Sequence, residues 1–237
     1  MSVEGAGLSP PLPSAMAETD PAQPVTPYLD PYRDAVSKVG PRFEALLWQS
    51  AEAQHTRFAV LAKMKNPTGR VVVDLGCGRA DFASFLHGRG VQYGSYIGID
   101  GVEELAAAAR ERLTQENVPE CTVLVRDFVA DAGLYSELVQ ERRADTLVFS
   151  GSLNTLDQSL AERTLDSAFD ALEPGGVLLF NFLSDRAGAD RRSQATGPAT
   201  RFDTLRLVGW ALDRTPLVKF RQDYLKGHDA TIAIEKR

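Results

Sequence analysis

The sequence predicts an α/β protein built on a mostly parallel sheet covered by helices on both faces. Three observations carry this. From Gly69 onward, short apolar, β-branched runs alternate with stretches of helical period. The first run, Val71-Val72-Val73-Asp74-Leu75, passes directly into Gly76-Cys77-Gly78 and an amphipathic segment, the pattern of a strand buried on both faces, a tight turn and a helix. The last two apolar runs are separated by Lys226-Gly227-His228-Asp229 alone, too short for a crossover, so they form an antiparallel hairpin.

In chain order, residues 1–27 carry Pro10, Pro11, Pro13, Pro21, Pro24 and Pro27 and few large apolar residues, and they are expected to form a disordered tail. Residues 28–66 place Phe43, Leu46 and Leu47, and then Phe58, Leu61 and Met64, at helical spacing. They predict helices over about 31–37 and 43–65, with a break near Ser50, in a unit that covers a ligand. Residues 67–237 form the main domain. Its strands are expected at 70–74, 95–100, 122–126, 146–149, 177–182, 217–224 and 230–235. Its helices are expected at 81–89, 102–117, 135–143, 159–172 and 202–212. Ser159 and Glu162 read as a capping box. The polar stretch 184–200, with Arg186, Arg191 and Arg192, is long for a connection and reads either as a lid over an anionic ligand or as a solvated loop.

The 237 residues are 43% apolar and 24% charged, with a formal net charge of −6 and a pI near 5.2. That acidic balance disfavours a protein whose task is to grip a nucleic-acid backbone. Neither cysteine, Cys77 nor Cys121, lies in a Cys/His cluster, so no metal site or disulfide framework is expected. With no apolar run near the length of a membrane span and no signal-peptide pattern, a cytoplasmic protein without a membrane partner is expected. Oligomeric state is not legible.

In an open parallel sheet, ligands bind beyond the carboxyl ends of the strands. Those ends carry a coherent set here: Asp74 before the glycine turn, Asp100, Asp127-Phe128, and Ser150-Gly151. A carboxylate ending the second strand suits the two hydroxyls of a ribose. An Asp beside a Phe suits adenine, the carboxylate taking an amine proton and the ring packing on the base.

Asp74-Leu75-Gly76-Cys77-Gly78-Arg79-Ala80, Asp100, Asp127-Phe128 and Leu172-Glu173-Pro174-Gly175-Gly176 resemble the ordered motifs of the class I S-adenosylmethionine-dependent methyltransferases. The resemblance runs from about Tyr28 to the last residue. It implies a Rossmann-like, doubly wound, seven-stranded sheet in the order 3-2-1-4-5-7-6, with the seventh strand antiparallel and helices added at the N-terminus. It implies S-adenosyl-L-methionine as cofactor and S-adenosyl-L-homocysteine as product. By position, Gly76, Cys77 and Gly78 would border the methionine part and Asp74 its ammonium. Asp100, Gly101 and Val102 would border the ribose, Asp127 and Phe128 the adenine, and Ser150 and Gly151 the region of the reactive methyl. Arg57, or His55 beside it, would reach the cofactor's carboxylate. The family's third glycine is Ala80 here, a residue expected to need a permissive but not left-handed backbone. Cys77 reads as a small residue filling a tight turn rather than as a nucleophile.

Two other readings compete. A nicotinamide-dependent oxidoreductase needs a small residue where Asp81 stands, and Asp74 is ill suited to a pyrophosphate cradle. A cofactor-binding sensor or partner subunit without transfer activity fits the same motifs. For methyl transfer, His228, Asp229 and Tyr224 near the last hairpin turn are candidate general bases, and Asn154 is a candidate acceptor-side group. Ser150-Gly151-Ser152-Leu153-Asn154 lacks the Asn/Asp-Pro-Pro-aromatic run that methylases of exocyclic base amines resemble. A small-molecule acceptor is expected.

Overall fold

In the computed structural model, which describes Met1 and residues 26–237, the strand ends gather at one edge of a single sheet. The disordered tail expected over residues 1–27 lies almost wholly outside the described residues. The strands are β1 (Val71–Leu75), β2 (Ser95–Asp100), β3 (Cys121–Val125), β4 (Thr146–Ser150), β5 (Val177–Ser184), β6 (Arg201–Phe202), β7 (Val218–Arg221) and β8 (Asp229–Glu235). Their order is β3-β2-β1-β4-β5-β8-β7, and β8 is antiparallel to both of its neighbours. This is the expected order with one addition: the two-residue β6 pairs with the end of β5, off the main path.

Alternation along the strands fills two cores. Val73 and Leu75 of β1 and Leu147 and Phe149 of β4 face one layer, while Val72 and Val148 face the other. The first layer is closed by α5 (Leu134–Gln140), α6 (Gln158–Ala171) and α8 (Thr204–Arg214). The second is closed by α2 (Ala51–Met64), α3 (Asp81–Gly88) and α4 (Glu103–Gln115), where Ala106 and Ala109 let the helix lie close to the sheet. Ahead of α2 come α1 (Asp30–Val39) and a 3-10 turn, Phe43–Leu46. They pack on Val102 and Leu105 at the start of α4, beside the carboxyl edge of the sheet. The break expected near Ser50 is present. Leu47 takes a left-handed conformation, and the Ser50 hydroxyl then caps α2 by accepting from the Ala53 N–H.

Three local expectations are corrected. The α6 cap is Asp157, which accepts from the Leu160 N–H at 2.8 Å; an aspartate in extended backbone two residues earlier displaces Ser159, and Glu162 turns to Arg206 and Gln158 instead. The link between the last two strands is longer than four residues: it runs from 222 to 228, with a 3-10 turn at Leu225–Gly227. Residues 184–200 are partly regular, holding α7 (Ala189–Arg192). Among the described residues, no helix is long and apolar enough to cross a membrane.

Candidate functional site

The carboxyl ends of β1, β2 and β4 and the loop after β3 face one open cavity. Asp74 of β1 is buried in its floor. Its Oδ2 accepts from the Tyr96 hydroxyl at 2.5 Å, and its Oδ1 has no partner among the described residues. Burial lifts the pKa of this carboxyl from its ordinary 3.8 to about 7; the Tyr96 bond opposes the shift, and the nearby Asp100 and Asp81 add to it. Asp100, the last residue of β2, accepts from the Gly78 N–H at 2.7 Å and from the Val102 N–H at 2.9 Å. Burial raises it to about 6 against those two bonds. One carboxylate thereby ties the glycine turn to the entry of α4.

Gly76 and Gly78 both have positive φ, 79° and 55°. Ala80 is corrected here: it is left-handed, at φ 54° and ψ 35°, with its methyl fully buried. An L-residue in that region costs about 1–2 kcal/mol, which the packed turn imposes. Cys77 is buried, and a Cβ placed on Gly98 would stand 2.8 Å from its Sγ, so the thiol fills the space between turn and strand. Burial, with Asp100 nearby, keeps it protonated.

The other expected residues divide. Gly101, Val102, Phe128, Ser150, Gly151 and Asn154 line the cavity. Asp127 does not. Its Oδ1 accepts from the N–H groups of Val129 and Ala130, and its Oδ2 accepts from the Tyr28 hydroxyl at 2.8 Å. Tyr28 itself is on the cavity wall, so Asp127 acts on the site through that ring. Arg57 is likewise behind the wall. Its Nε donates to Asp229 Oδ1 at 2.6 Å, its guanidinium lies 4.7 Å from the Trp48 ring, and the two ion-pair side chains are 5% and 1% exposed. His55 packs on Phe85 and Phe58.

The candidate bases His228, Asp229 and Tyr224 do gather at the carboxyl edge of the sheet, where Asp229 opens β8 opposite Leu183 of β5, but they are not on the cavity wall. His228 Nδ1 is 2.9 Å from Asp229 Oδ2, and its Nε2 is 3.2 Å from the guanidinium of Arg201, which must donate. The tautomer that fits both contacts donates from Nδ1 to Asp229 and accepts at Nε2. The Tyr224 hydroxyl is bonded to Thr231.

The sequence reading missed much of the wall. Leu29 and Tyr32 reach it from the start of α1, Leu46, Leu47 and Trp48 from the 3-10 turn, and Gln54 and Phe58 from α2. Gln54 is buried, and no hydrogen bond of its carboxamide is seen among the described residues. The 184–200 segment also arrives, but through Thr196, Pro198 and Ala199 rather than through its arginines. Arg186 pairs with Asp185, Arg191 bonds Gln194 and Arg192 is exposed. The segment is anchored where the Thr200 N–H donates to the Asn154 carbonyl at 2.6 Å.

A family model described as a methyltransferase domain matches residues 72–176. The chain is 30% identical over 142 residues to the trans-aconitate 2-methyltransferase of Variovorax paradoxus (strain S110), 59% of this chain and 49% of that protein. It is 41% identical over 73 residues to the enzyme of the same name from Acidovorax sp. (strain JS42), 30% of this chain and 28% of that protein. The chain thus spans about half or less of the length of these curated relatives. Among solved structures it is similar in fold to magnesium protoporphyrin IX methyltransferase from Synechocystis PCC 6803 with bound S-adenosylmethionine. The TM-score is 0.62 and the identity 13%, over 91% of this chain and all of that one. An O-methyltransferase family protein from Burkholderia thailandensis gives a TM-score of 0.56 at 16% identity, over 89% of this chain and 70% of that one.

Proposed function

We propose that this chain, which matches a methyltransferase-domain model over residues 72–176, is an enzyme that binds S-adenosylmethionine in the cavity described above and directs its methyl group to a small-molecule acceptor. The observation that carries this reading is Asp74. A buried carboxylate oxygen without a partner among the described residues, next to a glycine turn, is a place for an ammonium group, and the cofactor has one. A phosphate-bearing cofactor would instead meet Asp74 and Asp100 as like charges.

The residues present fit the cofactor in other ways. The turn at Gly76 and Gly78 brings bare backbone to the wall, and a Cβ on Gly78 would stand 2.6 Å from Leu46 Cδ2. Asp100 spends one lone pair on each of its two backbone bonds and keeps capacity for a diol. Phe128 and Leu29 offer apolar faces for a base, and Gln54 offers an amide to a carboxylate or to the acceptor. Residues 28–66 are read as a cap over the bound cofactor, since Leu29, Tyr32, Leu46 and Trp48 supply that side of the wall.

When bound, the cofactor supplies a methyl group already activated on a sulfonium. The work of the chain is to align the acceptor and keep out water. The walls made by Trp48, Phe58 and Pro198 do both. The relatives' name supports a small-molecule acceptor. Their limited overlap with this chain leaves its identity to the cavity itself.

Titration calorimetry of the full chain tests the reading. S-adenosylmethionine and S-adenosylhomocysteine are expected to bind with micromolar or tighter Kd, and NADH is not. Tight NADH binding without S-adenosylmethionine binding refutes it. Cofactor binding without transfer to any acceptor leaves the chain a sensor.

A further inference from the structure

We infer that the methyl acceptor is a carboxylate, held through one oxygen by the Ser150 hydroxyl and the Asn154 carboxamide at the end of β4, and that the product is a methyl ester. The inference rests on the proposed methyl transfer and names the acceptor class of that same cavity.

Ser150 and Asn154 bracket Gly151 in the chain, and both line the cavity. Each has given an oxygen to the fold and kept its donor. Ser150 Oγ accepts from Asn181 Nδ2 at 3.3 Å, and Asn154 Oδ1 accepts from the Leu183 N–H at 3.4 Å. The second bond fixes which end of the Asn154 amide is oxygen, and so which end is Nδ2. Among the described residues, neither the Ser150 O–H nor the Asn154 Nδ2 donates to a partner. The Trp48 indole rests where a Cβ on Gly151 would stand, and it joins the end of β4 to α2. From α2 the buried Gln54 adds a carboxamide with no hydrogen bond among the described residues. Behind Trp48, Arg57 is only half spent. Its Nε donates to Asp229, its guanidinium lies 4.7 Å from the Trp48 ring, and its buried Nη1 has no partner among the described residues. A guest on this side of the cavity meets donors, and it pairs with them only if it brings oxygens that accept.

The same wall limits the nucleophile. An alcohol or a phenol must lose a proton, and the groups nearby do not take it. Burial keeps the Cys77 thiol and the Tyr32 phenol protonated, while Asp74 and Asp100 are assigned to the cofactor's ammonium and diol. His228, Asp229 and Tyr224 are off the wall. An amine needs no base, but it carries N–H donors toward donors. A carboxylate is ionised at neutral pH and brings acceptors alone. One of its oxygens takes the hydrogen bonds of Ser150 and Asn154. The other gives a lone pair to the methyl carbon while the sulfur–methyl bond breaks and returns its electron pair to sulfur. No proton moves. The negative charge of the carboxylate cancels the positive charge of the sulfonium, leaving an ester and a thioether, and a partly enclosed site favours that loss of charge.

The test uses the full chain, methyl-labelled S-adenosylmethionine and the small-molecule fraction of a mixed cell extract. Products are freed of unused cofactor and warmed in dilute alkali, and the label is followed into distilled methanol. A methyl ester releases its label this way, whereas N-methyl, S-methyl and ether products keep it. Label in the distillate above a no-enzyme control is the expected result. Label that stays in the residue overturns the inference and leaves methyl transfer standing. Cofactor binding with no labelled product counts against methyl transfer itself, and the inference falls with it. Asn154→Asp tests the residue, since its carboxylate still accepts from Leu183 but offers no donor and repels an anion. The apparent KM, from a dilution series of the same fraction, should rise about tenfold or more while the Kd for S-adenosylhomocysteine is unchanged. An unchanged KM, or a matching rise in that Kd, overturns the place given to Asn154.

Discussion

Replacing Asp74 with Asn should weaken cofactor binding and strengthen the empty protein at the same time. The carboxyl sits in the cavity floor with one oxygen unpaired, and burial moves its pKa from 3.8 to about 7. Because the folded value is above the unfolded one, the folded chain holds a proton that the unfolded chain releases. Stability is then lost as pH rises from about 4 to about 7. At about 1.4 kcal/mol per pH unit, the ionised form costs the empty protein on the order of 4 kcal/mol above pH 7. Asn keeps the shape, still accepts from Tyr96 through its oxygen, and carries no charge. The variant should therefore unfold at a higher denaturant concentration at pH 8, with little difference at pH 4. The bound state shows the reverse. A charge-assisted bond to an ammonium group is worth about 1.5–3 kcal/mol, so the Kd for S-adenosylhomocysteine should rise by roughly 10- to 150-fold at pH 8. In the wild-type chain, binding should weaken as pH falls below about 7, with a lower step from Asp100 near 6, and the variant should lack the upper step. Urea melts at pH 4 and 8, and calorimetry from pH 5.5 to 8.5, measure both effects. Equal affinity of the two proteins at pH 8, or a wild-type affinity flat across pH 6–8, would refute the role assigned to Asp74.

Three other perturbations follow from the site. Asp229→Ala leaves the Arg57 guanidinium buried without its partner and should cost about 3–5 kcal/mol in urea unfolding, while the double variant R57M/D229L should recover most of that loss. Asp100→Asn offers one acceptor oxygen to the two N–H groups of Gly78 and Val102. It should destabilise the chain by about 1–3 kcal/mol and loosen the glycine turn, read as faster amide exchange at Gly78. Gly151→Ala puts a Cβ into the Trp48 indole at a φ of +73°. A cost of about 1–3 kcal/mol and a shift in tryptophan emission are expected, and unchanged emission would show that the indole does not rest there.

What could be read from the sequence was whatever is contiguous. The β-branched runs announced their strands, because burial on both faces leaves no room for polar residues. Asp74, Gly76 and Gly78 stood together in one motif. The wall from residues 28–66 was hidden for the opposite reason. On α2, each residue turns the side chain by about 100°, and that rotation alone sends Gln54 to the cavity, His55 onto Phe85 and Arg57 to Asp229. No composition or spacing distinguishes the three; the packing of Phe58 and Leu61 against the domain does. Ala80 escaped because a left-handed alanine is imposed by its turn, not by its own preference. The hairpin bases lie at the expected edge of the sheet, but His228 and Asp229 bond each other there and Tyr224 bonds Thr231, and none of the three faces the cavity.

The Arg57–Asp229 pair joins residues 172 positions apart, and Lys65 and Glu235 join across 170. Helix α2 therefore rests on a strand that is made long after it. On a ribosome, residues 51–64 emerge early and have only α3 and β5 beneath them until residues 229–235 have slotted between β5 and β7. The glycine turn and the strands beside it can assemble from their own neighbourhood, whereas the ion pairs that fix the wall carrying Trp48 and Gln54 wait for the closing strand. The locking of the enclosure is thus a late event in synthesis, and a frameshift or clipped end near residue 229 would take it away.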